Sequence, residues 1–272
     1  MIDIHHHLLP GLDDGARNMD VSLAMVEMAI ADGITHIACT PHSSHHYYFD
    51  PEQNATLFAE LQDAVTGRFG DRMTLGLGCD FHLMFDNIED AQRHPTRYTI
   101  NGHNYLLVEF PDSTISPNTP QTFYQLSLSG MTPIITHPER NPILARQPER
   151  MLEWLKAGAL IQVTAGSLTG RFGQMAEQAA LWLLDHQWVH FLATDAHDIQ
   201  SRAPLLRPAF DLVAEQYDPA TAERLCIANP RAAFYGEPLG AQPEPTVPHT
   251  MEPRRRPTVK PSFFGRLFKR SV

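Results

Sequence analysis

Short apolar runs alternate along this chain with longer stretches whose apolar residues recur every three to four positions. The runs Met1–His5, Gly33–Thr40, Met73–Cys79, Asn104–Phe110, Thr132–Thr136, Leu160–Thr164 and Val189–Thr194 are mostly bounded by Gly, Pro or Asp, as buried parallel strands are. The stretches Met19–Ala31, Pro51–Thr66, Pro120–Ser129, Glu149–Ala157, Gln174–His186, Leu205–Gln216 and Ala220–Ala228 carry helical spacing. Asn18 stands at the N-cap position of the first helix, and Gly33 lies just past its end. Repeated strand-then-helix units imply an α/β protein with a parallel sheet and right-handed crossovers. Seven such units in about 240 residues suit a (β/α) barrel better than an open sheet.

Composition narrows the class. The 272 residues are 43% hydrophobic and 19% charged, a globular balance. No apolar run reaches the length of a membrane-spanning helix, and the opening Met1-Ile2-Asp3-Ile4-His5 lacks the basic-then-apolar pattern of a secretory signal. Cys39, Cys79 and Cys226 are too few and too widely spaced for a disulfide framework, so a reducing cytoplasm is the expected compartment. Residues 238–261 contain seven prolines and read as a linker outside a barrel of residues 1–237. Residues 262–272 form a short basic, aromatic tail. The net charge of −10 divides into +5 on residues 241–272 and −15 on residues 1–240. An acidic body repels phosphate backbones, so no nucleic-acid partner is expected.

Chemistry gathers where the predicted strands end. The first strand runs into His5-His6-His7, and alternation in a strand puts His5 and His7 on one side with His6 facing away. Asp13-Asp14-Gly15 follows in the next loop. Later strands end at His42, Asp80, Glu109, His137 and the pair Asp195 and His197. In a parallel barrel these positions open onto one face, where active sites of such folds lie. A lone His-x-His or a polar Asp-Asp-Gly turn is common without function; the weight comes from their recurrence at successive strand ends. A mixed imidazole and carboxylate set suits Zn²⁺, Mn²⁺, Fe or Co²⁺, and it exceeds what one tetrahedral ion can use, so two or three divalent ions are implied. Two such ions can clamp the oxygens of an in-line phosphoryl displacement. Arg140 and Arg202 follow two of the strand ends, and planar guanidinium groups neutralise phosphoryl oxygens in pairs, though a surface ion pair with Glu139 or Asp198 would also account for them. No cysteine is followed by the Cys-x5-Arg pattern of thiolate phosphatases, and no Walker loop or Gly-x-Ser-x-Gly elbow occurs.

Several motifs together resemble a known family. They are Asp3-Ile4-His5-x-His7, Leu9-Pro10-Gly11-Leu12-Asp13-Asp14-Gly15, Thr40-Pro41-His42, Thr136-His137-Pro138-Glu139-Arg140, the run from Gln162 to Gly170 (QVTAGSLTG), and Thr194-Asp195-Ala196-His197. In order and spacing this set is similar to the CpsB/CapC branch of the polymerase-and-histidinol-phosphatase (PHP) superfamily, over roughly residues 1–236. The resemblance implies a distorted (β/α)7 barrel of PHP type. It implies a metal-dependent protein-tyrosine phosphatase acting on an autophosphorylating bacterial tyrosine kinase that controls capsule and exopolysaccharide synthesis. It also implies two or three divalent ions, most commonly Mn²⁺. Carried over residue by residue, the ligands are His5, His7, Asp14, His42, Asp80, Glu109, His137, Asp195 and His197, and the phosphate-binding arginines are Arg140 and Arg202. Position 80 departs from the family, which commonly has a bridging Glu there; the shorter Asp80 leaves bridging open, with His82 placed to assist. Between Asp13 and Asp14 the sequence leaves a choice; Asp14 is preferred as ligand, with Asp13 capping the turn.

Two other functions stay open at this point: a small-molecule phosphoesterase for histidinol phosphate or a nucleotide, and a non-enzymatic regulator. The basic and aromatic residues of the 254–270 tail suit an anionic membrane surface or an acidic partner segment, against the plainer reading of a solvated tail.

Overall fold

Nine short strands and ten helices are found among residues 1–246, which are the residues the computed structural model describes. The remainder of the Pro-rich linker, the tail and the expected 254–270 membrane contact lie outside the described residues. The strands are β1 (Ile2–His6), β2 (His36–Cys39), β3 (His42–Ser43), β4 (Thr74–Leu77), β5 (Asp80–His82), β6 (Tyr105–Glu109), β7 (Thr132–Thr136), β8 (Leu160–Thr164) and β9 (Phe191–Ala193). Every pairing is parallel, in the orders β1-β2-β4 and β3-β5-β6-β7-β8-β9.

The two sheets are one barrel with seven strand positions. The second expected strand is interrupted at Thr40-Pro41, and the third at Gly78-Cys79. Pro41 has no N–H to give to a ladder, so β2 stops and β3 restarts beyond it. Gly78 N–H to Cys39 O (2.8 Å) and Asp80 N–H to Pro41 O (3.0 Å) carry the pairing across the break. The last strand meets the first through a single parallel bridge, His6 with Ala196, flanked by Asp195 N–H to His5 O and His7 N–H to Ala196 O, both 2.9 Å. The result is the distorted (β/α)7 barrel expected from the resemblance, with a weak seam between β9 and β1.

A bulge in β1 aims the first histidines. Asp3 pairs with Ile37 but His6 pairs with Cys39, so one extra residue sits in β1. Side chains change sides at such a bulge. Ile2 and Ile4 therefore belong to the barrel interior, and His5, next in sequence, turns inward above them. That interior is packed with Ile2, Ile4, Ala38, Leu107, Ile134, Phe191 and Ala193. Its floor is Ile100 with Ala233 and Phe234 of the C-terminal helix.

The helices cover the outside. They include α1 (Met19–Asp32), α2 (Pro51–Phe69), α3 (Phe85–Arg93), α4 (Thr119–Leu128), α5 (Leu152–Lys156), α6 (Ala165–Leu168), α7 (Gly173–Asp185) and α8 (Arg207–Gln216). Asn18 caps α1 by accepting the Val21 N–H, and Gly33 ends it at φ +91°. α3 has no counterpart among the expected helices. The expected helix Ala220–Ala228 is the middle of a longer one: α9 (Pro219–Glu223) passes through a π turn (Arg224–Ala228) into α10 (Asn229–Tyr235). Pro230 cannot supply its helical N–H, and widening by one residue lets the helix run past it. Residues 238–246, read from composition as linker, lie on the body: Gln242 bonds Asn229 and Arg224, and Trp188 donates to Thr246 O at 3.0 Å.

Candidate metal centre

The C-terminal ends of the strands bring all nine expected ligands to one mouth. His5 Nε2 lies 3.5 Å from Asp80 Oδ2 and 3.4 Å from Asp195 Oδ1. His7 Nε2 also lies 3.4 Å from Asp195 Oδ1. His42 Nδ1 is 3.1 Å from Asp80 and 3.5 Å from Glu109, and its Nε2 is 3.4 Å from Asp14. Asp14 Oδ1 is 3.3 Å from His197 Nε2 as well. His137 Nε2 is 3.6 Å from Glu109 Oε1. Three groups have donor atoms close enough together for one ion each: His7, Asp14, His42 and His197; His5, His7 and Asp80; His42, Asp80 and Glu109. Asp80 belongs to two of them and stands between His5 and His42, while His82 and two of the expected ligands, His137 and Asp195, belong to none.

The residues fit divalent ions on two grounds. Two atoms each about 2.1 Å from one ion, at tetrahedral to octahedral angles, lie about 3.0 to 3.4 Å apart, close to the 3.1 to 3.6 Å seen. Secondly, both oxygens of fully buried Asp80, Nδ1 of His42 and Nε2 of His197 make no hydrogen bond of good geometry among the described residues, although His42 Nδ1 lies only 3.1 Å from Asp80 Oδ2. Buried polar atoms are rarely left so, because each costs about 1–3 kcal/mol.

Neighbours hold the imidazoles in one tautomer. His5 Nδ1 meets Gln162 Oε1 at 3.0 Å, His7 Nδ1 meets Asp13 Oδ2 at 2.8 Å, and His197 Nδ1 meets the Asp195 carbonyl at 3.0 Å. In the neutral ring each Nδ1 then carries the proton, and once any Nε2 proton leaves its lone pair faces the cluster. Asp13 and Asp14 thus separate in space: Asp14 faces two imidazoles in the cluster, whereas Asp13 orients His7 and accepts the N–H groups of Gly15 (3.0 Å) and His42 (3.1 Å). The loop returns so closely over His7 that a Cβ at Gly15 would sit 2.2 Å from the His7 carbonyl oxygen. His137 and Asp195 have φ of +32° and +51°, a region non-glycine residues seldom occupy and one found at functional sites.

The charges are strongly coupled. Burial lowers the pKa of His5, but Asp195 and Asp80 outweigh it and raise it to about 9. His42, opposed by burial, is raised to about 11 by Asp14 and Asp80. Burial raises Glu109 to about 8, aided by Asp80. Burial, with neighbouring imidazoles, takes His6 down to about 3.

Arg140 and Arg202 converge on a single atom, Asp195 Oδ2, with Arg202 Nη2 at 2.6 Å. The other oxygen of Asp195 faces the histidines. Neither surface ion pair considered from sequence forms: Glu139 turns inward to Thr164 N–H (3.0 Å) and Ser167 hydroxyl (2.7 Å), and Asp198 accepts main-chain N–H groups of its own turn. All three cysteines are free and buried, and burial pushes the Cys226 thiol up to about 12, so no thiolate nucleophile is available.

Sequence reasoning passed over Gln162 and Tyr47. Gln162 is a polar residue inside an apolar strand, which is a readable signal. Tyr47, stacked on His42 with ring centroids 5.6 Å apart, is held there by loop geometry that leaves no local pattern.

Fold and donor set define a class: a parallel α/β barrel with a mixed imidazole and carboxylate cluster at its mouth, suited to several divalent ions. The profile described as "Capsular polysaccharide synthesis, CpsB/CapC" matches residues 1–235, and the chain belongs to the CpsB/CapC family. It is 34% identical over 213 residues to CapC of Staphylococcus aureus, covering 78% of this chain and 82% of that one. It is 33% identical over 205 residues to the tyrosine-protein phosphatase YwqE of Bacillus subtilis, covering 74% and 79%. A solved structure described with YwqE and CpsB of Streptococcus pneumoniae as "unique metal-dependent tyrosine phosphatases" superposes with a TM-score of 0.83 at 28% identity, over 91% of this chain and 100% of that one.

Proposed function

We propose that this protein is a metal-dependent phosphotyrosine-protein phosphatase whose substrate is an autophosphorylated bacterial tyrosine kinase of capsule or exopolysaccharide synthesis. Its ions are two or three, with Mn²⁺ the first choice, held by His5, His7, Asp14, His42, Asp80, Glu109, His137, Asp195 and His197. The observation that carries the reading is the meeting of these ligands with two guanidinium groups at Asp195. Family membership supports it.

Ions bound in this cluster supply Lewis acidity and activation of water for in-line attack at phosphorus. The chain's own residues do the rest. Arg140 and Arg202 bind the equatorial phosphoryl oxygens, and Asp195 holds both guanidinium groups beside the ligand set. A tyrosine leaving group has a conjugate-acid pKa of about 10, so its departure needs less help from a proton donor than that of serine. Tyr47, flat against His42 at the rim, presents an aromatic surface where the tyrosyl ring would enter. Such a substrate is phosphorylated from ATP, which locates the reaction in the cytoplasm; among the described residues no helix is long and apolar enough to cross a membrane.

The test is hydrolysis of a phosphotyrosine peptide with added Mn²⁺. Activity should vanish on thorough chelation and return with the metal; turnover that survives chelation overturns the mechanism. A kcat/KM higher on histidinol phosphate or a mononucleotide than on the peptide would overturn the substrate class.

A further inference from the structure

The turn Gly170-Arg171-Phe172-Gly173, between α6 and α7, reaches both arginines of the site, and the proposed reaction leaves it without a role. The ring of Phe172 lies 4.4 Å from the guanidinium carbon of Arg140. Arg171 points the other way: its Nη1 donates to the carbonyl oxygens of Gln200 (3.1 Å) and Ser201, the two residues before Arg202. Asp198 braces the same segment, accepting the N–H groups of Gln200 and Ser201 at 2.6 Å and of Arg202 at 3.1 Å.

The local sequence is shaped to put this dipeptide there. Gly170 and Gly173 take φ of +78° and +86°, conformations that suit glycine and reverse the chain on either side of the pair. The Arg171 N–H donates to Gly166 O at 2.9 Å. A Cβ on Gly166 would come within 3.0 Å of the Phe172 ring and 3.2 Å of Arg171 Cδ, so the glycine lets both side chains pack closely over it.

A guanidinium packed against a ring face is held without using its N–H groups, which all lie in its own plane. Phe172 can therefore fix Arg140 and leave its donors free for Asp195 and for phosphoryl oxygens. Arg171 spends its Nη1 donors on the two carbonyls and so bears on Arg202 through the main chain.

We propose that Arg171 and Phe172 are positioning residues that set the separation of Arg140 and Arg202, one through the main chain of residues 200–202 and the other through its ring face. The inference rests on the reading of Arg140 and Arg202 as the phosphoryl clamp.

Double-mutant cycles on metal-loaded protein test it, with inorganic phosphate as the probe. The readouts are the phosphate inhibition constant, kcat and KM on a phosphotyrosine peptide, and the metal content of every variant. Phe172→Leu should weaken phosphate binding about five- to thirtyfold, the loss expected for a half-buried cation–π contact, at unchanged metal content. Phe172→Tyr, which keeps the ring, should restore binding to within about twofold. Arg171→Ala should weaken binding by a similar factor. Each loss should disappear when the arginine it acts through is gone: Phe172→Leu in an Arg140→Ala background, and Arg171→Ala in an Arg202→Ala background. A loss that persists in either background overturns the assignment for that residue, as does unaltered phosphate binding in the single variant. If Arg140→Ala and Arg202→Ala themselves leave phosphate binding intact, the clamp reading fails and the inference falls with it; that result is read from variants in which residues 171 and 172 are native.

Discussion

Asp80 has both carboxylate oxygens fully buried and without a hydrogen bond of good geometry among the described residues, between two imidazoles that need a shared counter-charge. Asp80→Asn removes that charge while keeping the shape. The expected result is a loss of at least one ion per chain and at least about a 100-fold drop in Mn²⁺ affinity, read by elemental analysis and titration. The histidines add a pH dependence. Their raised pKa values, about 9 for His5 and about 11 for His42, mean that the metal-free protein keeps both imidazoles charged at neutral pH. That stabilisation is present in full below the free imidazole value of about 6.5 and fades as pH rises through the folded values. Metal binding requires those protons to leave, so affinity rises over the same range. The gap in Tm between loaded and metal-free protein should widen from pH 6 to pH 9; a constant or narrowing gap contradicts the coupling. At this scale the candidate ligands were legible, because His-x-His at a strand end declares its own geometry. The split between Asp13 and Asp14 was not, because it is decided by partners that the chain supplies from elsewhere.

Local chemistry accounts for most element boundaries. Asn18 and Gly33 bracket α1 as their side-chain and backbone preferences require. Asn18→Ala should cost about 1 kcal/mol, a fall of about 2–4 °C in Tm, with metal content unchanged. Gly15→Ala should differ in kind. Its Cβ meets the His7 backbone at 2.2 Å, so the loop must move and take Asp14 with it. Metal affinity should drop before stability does, and binding equal to wild type would show that the loop tolerates the side chain. Other element-scale features escaped the pattern of apolar residues. The bulge in β1, the breaks at Pro41 and Gly78 and the π turn before Pro230 are each a matter of one residue more or fewer in a ladder of hydrogen bonds. Periodicity averages over such shifts. The helix α3 was passed over because its few apolar positions sit among charged ones over less than three turns.

The whole molecule is held together at its seam. Asp3, fully buried, accepts the Thr194 N–H at 3.0 Å and the Thr194 hydroxyl at 2.5 Å, tying β1 to the end of β9 where strand pairing shrinks to one bridge. Burial raises its pKa to about 6 despite those donors. The contribution of Asp3 to stability is therefore complete below the usual carboxylate value and is lost as pH climbs through about 6. Relative to Asp3→Asn, wild type should lose about 2 kcal/mol of advantage between pH 4 and pH 8, measured by urea unfolding at each pH. An advantage independent of pH would mean that burial does not raise the pKa of Asp3 above its unfolded value. From its sequence alone this chain is an α/β barrel with a ring of imidazoles and carboxylates at one mouth, since strand ends and ligand types are written in neighbouring residues. Tertiary structure alone decided which oxygens face which nitrogens, that two arginines share Asp195, and that the turn at Arg171 and Phe172 reaches both. Those contacts join residues far apart in the chain, and only the closure of the barrel brings them within bonding distance.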